Sequence, residues 1–333
     1  MNQFQKFGVI GGGAWGTALA AALIRAGRDV LLWAREENVV ESINISHENK
    51  VFLKGVALDP ALRATNVLKD MAACDAYLWV APVQYSASLC QQLKDAIKDG
   101  QKAPVILCSK GIERGSFRFP FEIIEEALPD HPVAVLSGPS FAIEVARNQP
   151  TAVTLAARDE ALAMALCRAI GSVTFRPYMS GDVVGVSLGG AIKNVLAVAT
   201  GIATGCGMGE NARAALITRG LVEMMRFGQA LGAKRETLMG LSGQGDLVLT
   251  CSSTQSRNMS LGVALGQGKS LDEILASRNS VAEGVPTAAA AAQVARDKGV
   301  EMPIVEAVDA VLNQGAKVED SIAALLSRPF KAE

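Results

Sequence analysis

Lys6-Phe7-Gly8-Val9-Ile10-Gly11-Gly12-Gly13-Ala14-Trp15-Gly16 runs straight into a helix-like stretch, Thr17–Ala26. Lys6–Ile10 reads as a strand, and a second strand begins near Val30. In a strand–turn–helix unit each of three glycines has a separate use. Gly11 permits the tight turn, Gly13 lets backbone approach a pyrophosphate, and Gly16 lets helix and strand pack closely. The pyrophosphate then rests on the N–H groups of the first helical turn, which have no partner within the helix. A glycine hexamer alone is weak evidence, but a strand before it and a helix behind it are the context that a dinucleotide site requires.

Cofactor choice is read at the end of the second strand, roughly 20 residues past the glycines, where an acid suits the ribose hydroxyls of NAD and an arginine suits the extra phosphate of NADP. The chain has Trp33-Ala34-Arg35-Glu36-Glu37 there. Arg35 favours NADP, while Glu36 suits a free ribose. A solvated charge cluster is the plainer alternative.

Outward from this unit, short β-branched runs alternate with helical stretches: Val30–Trp33, Ala76–Val80, Val105–Ser109, Val133–Leu136, Ala152–Leu155, Val173–Arg176 and, more weakly, Leu62–Val67. Tyr77–Ala81 and Val105–Cys108 are continuously apolar, as strands buried on both faces are. The pattern predicts an α/β fold, an N-terminal Rossmann-type, doubly wound parallel sheet. Past about Ser180 the strand-like runs stop, and long Ala-, Gly-, Leu- and Met-rich helical stretches follow. We therefore expect a dinucleotide-binding domain over 1–180 and an all-helical substrate domain over 181–333. Within the latter, Asn211–Leu231 reads as a helix with Asn211 as N-cap and Gly232 as its stop. Arg219, Glu223 and Arg226 share one face of it, away from Met224 and Phe227.

Bulk properties narrow the partners. Lys plus Arg is 32 and Asp plus Glu is 33, giving a net charge of -1, so no field favours nucleic acid. The six cysteines are scattered singly and there are only two histidines, so no metal site is expected, and the cysteines read as reduced thiols of a cytoplasmic protein. Two apolar stretches are long enough to be weighed as membrane spans, Phe7–Ile24 and Val183–Cys206. The first is broken by glycines, and the second holds Lys193 in its middle, which is costly in a bilayer. Neither is expected to span.

That lysine is the oddity of the helical half. Burial lowers a lysine's pKa and makes it a usable acid or base. The alternative is a lysine that snorkels to the surface from a packed helix. Downstream lie an acid in a glycine-rich turn, Ser242-Gly243-Gln244-Gly245-Asp246, and a cluster of hydroxyls ending in Ser256-Arg257-Asn258. Hydroxyls, an arginine and free N–H groups at a helix start make a phosphate pocket. Taken singly, Asp246 also fits a turn former, and Ser256–Asn258 an ordinary helix cap. Ligands of open α/β sheets bind outside the carboxyl ends of strands. Lys110, after Val105–Cys108, and Ser140, after Val133–Leu136, therefore face the cleft.

Together these motifs resemble the soluble NAD(P)-dependent glycerol-3-phosphate dehydrogenase family. The matching stretches include Gly11–Leu19, Ser109–Glu113, Leu136–Ala146, Val186–Asn194, Gly240–Leu249, Ser256–Asn258 and Val281–Thr287, in order along nearly the whole chain. The resemblance implies a reaction and the residues that serve it. NADP or NAD would carry hydride to dihydroxyacetone phosphate, giving sn-glycerol 3-phosphate for phospholipid synthesis, in a homodimer. Lys193 corresponds to the general acid/base. Lys110, Gly138, Ser140, Asp246, Ser256, Arg257 and Asn258 match substrate-binding positions. Besides Gly11, Gly13 and Gly16, cofactor contacts would come from Ala14, Trp15, Arg35, Lys110, Ala142, Arg257, Val281 and Glu283. The chain departs from the family pattern at Val51-Phe52-Leu53-Lys54-Gly55, where many members have Tyr-Leu-Pro-Gly, and at Ser242 and Gln244, usually alanine and leucine. A related β-hydroxyacid dehydrogenase and a non-catalytic NADP-binding redox sensor are the rival readings.

Overall fold

The strand–glycine–helix unit forms as β1 (Lys6–Ile10) and α1 (Ala14–Arg25), in a computed structural model that describes residues 4–97, 102–277 and 282–330. The chain continues through β2 (Asp29–Trp33), α2 (Glu37–Ser46), β3 (Arg63–Thr65), β4 (Ala76–Trp79), α3 (Ser86–Ala96) and β5 (Val105–Leu107). Then come α4 (Pro120–Ala127), β6 (Val133–Ser137), α5 (Ala142–Ala146), β7 (Thr151–Ala157), α6 (Glu160–Ile170) and β8 (Phe175–Ser180). The sheet order is β3-β2-β1-β4-β5-β6-β7-β8. Its first six strands are all parallel and reverse direction of winding between β1 and β4, the place where dinucleotides bind in such sheets. Every residue of β4 and β5 is buried, as continuous apolar runs require. Phe7 and Val9 of β1, Leu32 of β2 and Ala18, Leu19, Ala22 and Leu23 of α1 share one core, which holds the glycine turn between two packed elements.

Two strands depart from expectation. β7 runs antiparallel to β6, so the sheet is mostly rather than wholly parallel. The cause is α5, whose 5 residues span about 7 Å, too short to carry the chain back along a strand of about 17 Å. α6, with 11 residues, does make that return, and β8 lies parallel to β7. The last strand is also displaced from Val173–Arg176 to Phe175–Ser180. A tight turn precedes it, in which the Ser172 N–H bonds the Phe175 carbonyl and the Phe175 N–H bonds the Ser172 hydroxyl. The β7–β8 ladder opens with the Thr151 N–H on the Thr174 carbonyl, so by the two-residue period Pro177 stands on the open side of this edge strand.

By its contacts the chain divides into two units, Met1–Lys110 with Phe119–Ser187, and Gly111–Arg118 with Leu188–Glu333. The second is helical. After α7 (Val183–Gly205), which enters it, come α8 (Gly209–Ala230), α9 (Arg235–Leu238), a π-helical turn at Leu241–Gly245, α10 (Asp246–Cys251) and α11 (Arg257–Gly266). α12 (Leu271–Ala276), α13 (Gly284–Asp297), α14 (Pro303–Asn313) and α15 (Val318–Leu326) complete it. α7 is the one helix among the described residues long and apolar enough to cross a membrane, yet 89% of its most apolar window is buried within the protein. Its apolarity serves protein neighbours. Four glycines show how closely: a Cβ on Gly201 would stand 2.2 Å from the Met259 carbonyl oxygen, and one on Gly262 would stand 2.2 Å from that of Val198. One turn on, Gly205 and Gly266 meet the Val263 and Ile202 carbonyls at 2.3 Å in the same way. α7 and α11 therefore pack backbone to backbone.

α8 starts two residues before Asn211, which lies inside its first turn rather than capping it. Gly207 and Gly209 take φ of +73° and +78° and turn the chain into the helix, a job a side-chain cap does not do. Gly232, at φ +82°, does end it. Glu223 is buried, 2% exposed. Its carboxylate accepts the Ile304 N–H at 2.9 and 3.1 Å and the Val305 N–H at 3.3 Å, satisfying first-turn donors of α14.

Burial pushes the Glu223 carboxyl from 4.5 up to about 7, with Glu306 adding to the rise and the two N–H groups and Arg226 opposing it. The folded protein therefore keeps this proton to higher pH than the unfolded chain does. The linked stability is complete below pH 4.5 and is lost as pH rises through about 7. Melting temperatures of the wild type and Glu223→Gln across that window are expected to change their difference with pH in this sense. Parallel curves would rule it out.

Candidate active site

The glycine turn has the geometry its sequence foretells. Gly11 has φ +127°, and a Cβ there would stand 3.0 Å from backbone atoms of Val80 and Ala81 at the end of β4. A Cβ on Gly16 would fall 1.9 Å from the Gly11 carbonyl oxygen, so only glycine lets α1 start so close to β1. Gly13 differs: a Cβ there would meet nothing within 4 Å. Among the described residues no neighbour demands glycine at that position, and the open space in front of it fits a bulky anion resting on the helix start. Among the described residues the buried Trp15 indole N–H has no partner, which suits a donor to a bound ligand. These residues suit a dinucleotide. At the end of β2, Arg35 reaches Glu36 at 2.8 Å, with side chains 75% and 34% exposed, so both stand at the surface where a ribose edge would arrive.

The carboxyl ends of β5 and β6 collect a second group. Gly138, at φ +148°, sits where a Cβ would stand 2.9 Å from the Val153 Cα. Its carbonyl accepts from Lys110 Nζ at 3.4 Å and from Ser140 Oγ at 2.9 Å, so the two predicted polar residues converge on one atom. Beside them the Ser109 and Ser137 hydroxyls are buried with no partner among the described residues. Ala142 begins α5. Arg25, at the end of α1, donates to the Val145 and Ala146 carbonyls at 2.6 and 3.2 Å and ties α5 to the glycine-turn helix.

In the helical unit Lys193 does not snorkel. Its side chain is 10% exposed, and Nζ lies 2.7 Å from Asp246 Oδ1, itself on a side chain 1% exposed. Nζ also donates to the Thr250 hydroxyl at 2.9 Å, and that hydroxyl donates to Asp246 Oδ1 at 3.3 Å. Asp246 and Thr250 are one turn apart on α10, hence on one face. Glycine again explains the approach. A Cβ on Gly189 would fall 2.4 Å from the Ser242 carbonyl oxygen, and one on Gly243 would fall 2.0 Å from that of Leu238. Gly189 is one turn before Lys193, and the π-helical turn laid against it delivers Asp246 to the amine. A buried charge pair of this kind offsets its desolvation only if both partners stay.

The Ser256–Asn258 group lies at the start of α11. Ser256 does cap the helix, accepting the Met259 N–H at 3.2 Å, which leaves its own O–H as a donor. Arg257 is exposed, within electrostatic reach of Glu283. Asn258 accepts the Gly284 N–H at 3.1 Å, and a Cβ on Gly284 would stand 3.0 Å from the Asn194 carbonyl oxygen, next to Lys193. α7, α11 and α13 thus meet at glycine contacts around the amine. Val281 lies outside the described residues.

Two participants carry little or no signal in the sequence. Thr250 reads there only as one of several small hydroxyls; its spacing of four from Asp246 is the signal that finds it. Asn49, fully buried, bonds the Gly12 carbonyl at 2.8 Å and carries no sequence signal at all.

Comparison with known proteins agrees with this layout. The family described as NAD-dependent glycerol-3-phosphate dehydrogenase N-terminus matches residues 6–163, and its C-terminus counterpart matches residues 182–323. The chain is 55% identical over 330 residues to the glycerol-3-phosphate dehydrogenase [NAD(P)+] of Parvibaculum lavamentivorans, covering 99% of this chain and 98% of that one. It is 56% identical to the protein of the same name from Caulobacter vibrioides, covering 99% of each. The crystal structure of glycerol-3-phosphate dehydrogenase from Coxiella burnetii superposes with a TM-score of 0.93 at 37% identity, over 98% of this chain and 99% of that one. On family match, full-length identity and fold together, the chain belongs to the NAD-dependent glycerol-3-phosphate dehydrogenase family.

Proposed function

We propose that this chain interconverts dihydroxyacetone phosphate and sn-glycerol 3-phosphate with NADPH or NADH. Residues 1–180 would bind the dinucleotide and 181–333 would carry the substrate chemistry. The observation that carries the reading is the buried Lys193 amine held by Asp246 and Thr250. The cofactor, when bound, supplies or accepts the hydride at the substrate's central carbon.

The chain's own task is the proton. As hydride reaches the ketone carbon, negative charge builds on its oxygen. Lys193 as an ammonium donates a proton there, leaving a neutral amine that regains its proton from solvent. In the reverse direction the amine takes the hydroxyl proton. Asp246 and Thr250 orient the amine. The Ser256 hydroxyl, the Arg257 guanidinium and the Asn258 amide N–H groups hold the phosphate at the start of α11, and Lys110, Gly138 and Ser140 bind from the strand ends. Ala14, Trp15, Ala142, Val281 and Glu283 serve the cofactor. Arg35 favours the 2′-phosphate of NADPH over NADH. Cytoplasmic homodimers supplying glycerol 3-phosphate to phospholipid synthesis complete the proposal on family membership.

One assay tests it. Loss of NADPH absorbance on adding dihydroxyacetone phosphate is expected, faster than with NADH, and absent in a blank. Turnover of 3-hydroxy acids instead would favour a β-hydroxyacid dehydrogenase. Cofactor binding with no turnover of either substrate would favour a redox sensor.

A further inference from the structure

Asn49 lies outside the matching stretches Gly11–Leu19 and Ser109–Glu113, yet its side chain is fully buried and completely engaged. Its Nδ2 donates to the Gly12 carbonyl at 2.8 Å and to the Thr17 hydroxyl at 2.8 Å, while Oδ1 accepts the Phe52 N–H at 3.0 Å. The orientation of the amide is unambiguous: reversed, it would set oxygen against the Gly12 carbonyl and N–H against N–H. The Thr17 hydroxyl passes the constraint on by donating to the Gly13 carbonyl at 3.0 Å, which also accepts the Thr17 N–H at 3.0 Å. Two successive carbonyls of the glycine turn, Gly12 and Gly13, are thus pinned by one buried asparagine and its hydroxyl relay.

In a trans peptide the C=O of one residue and the N–H of the next point in opposite directions. Pinning the Gly12 and Gly13 carbonyls therefore aims the Gly13 and Ala14 N–H groups the other way. Glycine at positions 12 and 13 gives this segment little stiffness of its own. A Cβ on Gly12 would fall 2.4 Å from the Ala34 Cβ, which restrains one side of the turn, but a Cβ on Gly13 would meet none of the described residues within 4 Å. Something other than packing must hold the Gly13 peptides.

We propose that Asn49 is a positioning residue for dinucleotide binding, which sets the glycine-turn peptide planes so that the Gly13 and Ala14 N–H groups meet the pyrophosphate. The inference rests on the cofactor reading of the turn. It separates from a merely structural role because Asn49 acts on cofactor affinity and not on the proton-transfer group of the helical unit.

The test measures NADPH affinity by calorimetry, and kcat and both KM values by steady-state assay, for wild type, Asn49→Ala and Thr17→Val, each checked for folding by circular dichroism. Asn49→Ala removes hydrogen bonds worth about a factor of ten in binding, so its Kd and KM for NADPH are expected to rise about tenfold or more. Its kcat at saturating NADPH and its KM for dihydroxyacetone phosphate should stay within about threefold of wild type. Thr17→Val, which breaks only the relay, is expected to raise the same two constants by less, and it carries the test if Asn49→Ala does not fold. Undiminished NADPH affinity in folded variants overturns the inference alone, as does a parallel loss in kcat and both KM values. Wild-type protein that fails to bind NADPH overturns the cofactor reading with it.

Discussion

Lys193→Met is expected to lower kcat about 10²–10⁴-fold, the usual contribution of a positioned general acid. NADPH affinity should survive, because the glycine turn belongs to the other unit. The same substitution strips Asp246 of its counter-charge on a side chain only 1% exposed. Removing one partner of a buried pair costs about 3–5 kcal/mol, so a fall in activity alone would not separate chemistry from unfolding. The double variant Lys193→Met/Asp246→Leu makes the separation, since two apolar side chains replace the pair without leaving a stranded charge. Its melting temperature is expected to recover most of the loss, and its turnover none. Wild-type kcat in a folded Lys193→Met protein would remove this amine from the proton transfer.

The second large effect concerns the contact of α7 with α11. Gly201→Ala and Gly262→Ala each direct a methyl group at a carbonyl oxygen 2.2 Å away, and the two Cα atoms stand 2.9 Å from each other's added carbon. Helix backbones are stiff, so the helices must part, at a cost of about 1–3 kcal/mol for either variant. Because both methyls force open one contact, the double variant should cost clearly less than the sum. Urea denaturation midpoints of the two single variants and the double variant decide the point. Additive losses would mean that the two glycines act at separate places.

Much of the architecture is legible in the order of the residues. The glycine turn needs only the succession strand, glycines, helix, because the constraint is local. Lys193 stands out because a charge amid twenty-odd apolar residues breaks a simple pattern. The direction of β7 is hidden, since it depends on α5 being one short helix, and helix length is the feature that propensity reads least well. Neither the Gly189–Ser242 approach nor the Asn49 bond to Gly12 is legible. Both join residues distant in the chain, and an asparagine in a polar loop looks the same whether solvated or buried. The burial of Glu223 is hidden for a related reason: helical periodicity groups side chains by face but does not say which face a neighbouring helix terminus will cover.

The two ends of the sheet bear on how this protein behaves at high concentration. At one margin β3 has 3 residues, and at the other Pro177 withholds an N–H on the open side of β8. Strand-by-strand growth onto another molecule needs a long row of vacant donors and acceptors, and neither margin offers one. Crowded molecules of this chain are thereby guarded against fibril-like stacking through the sheet.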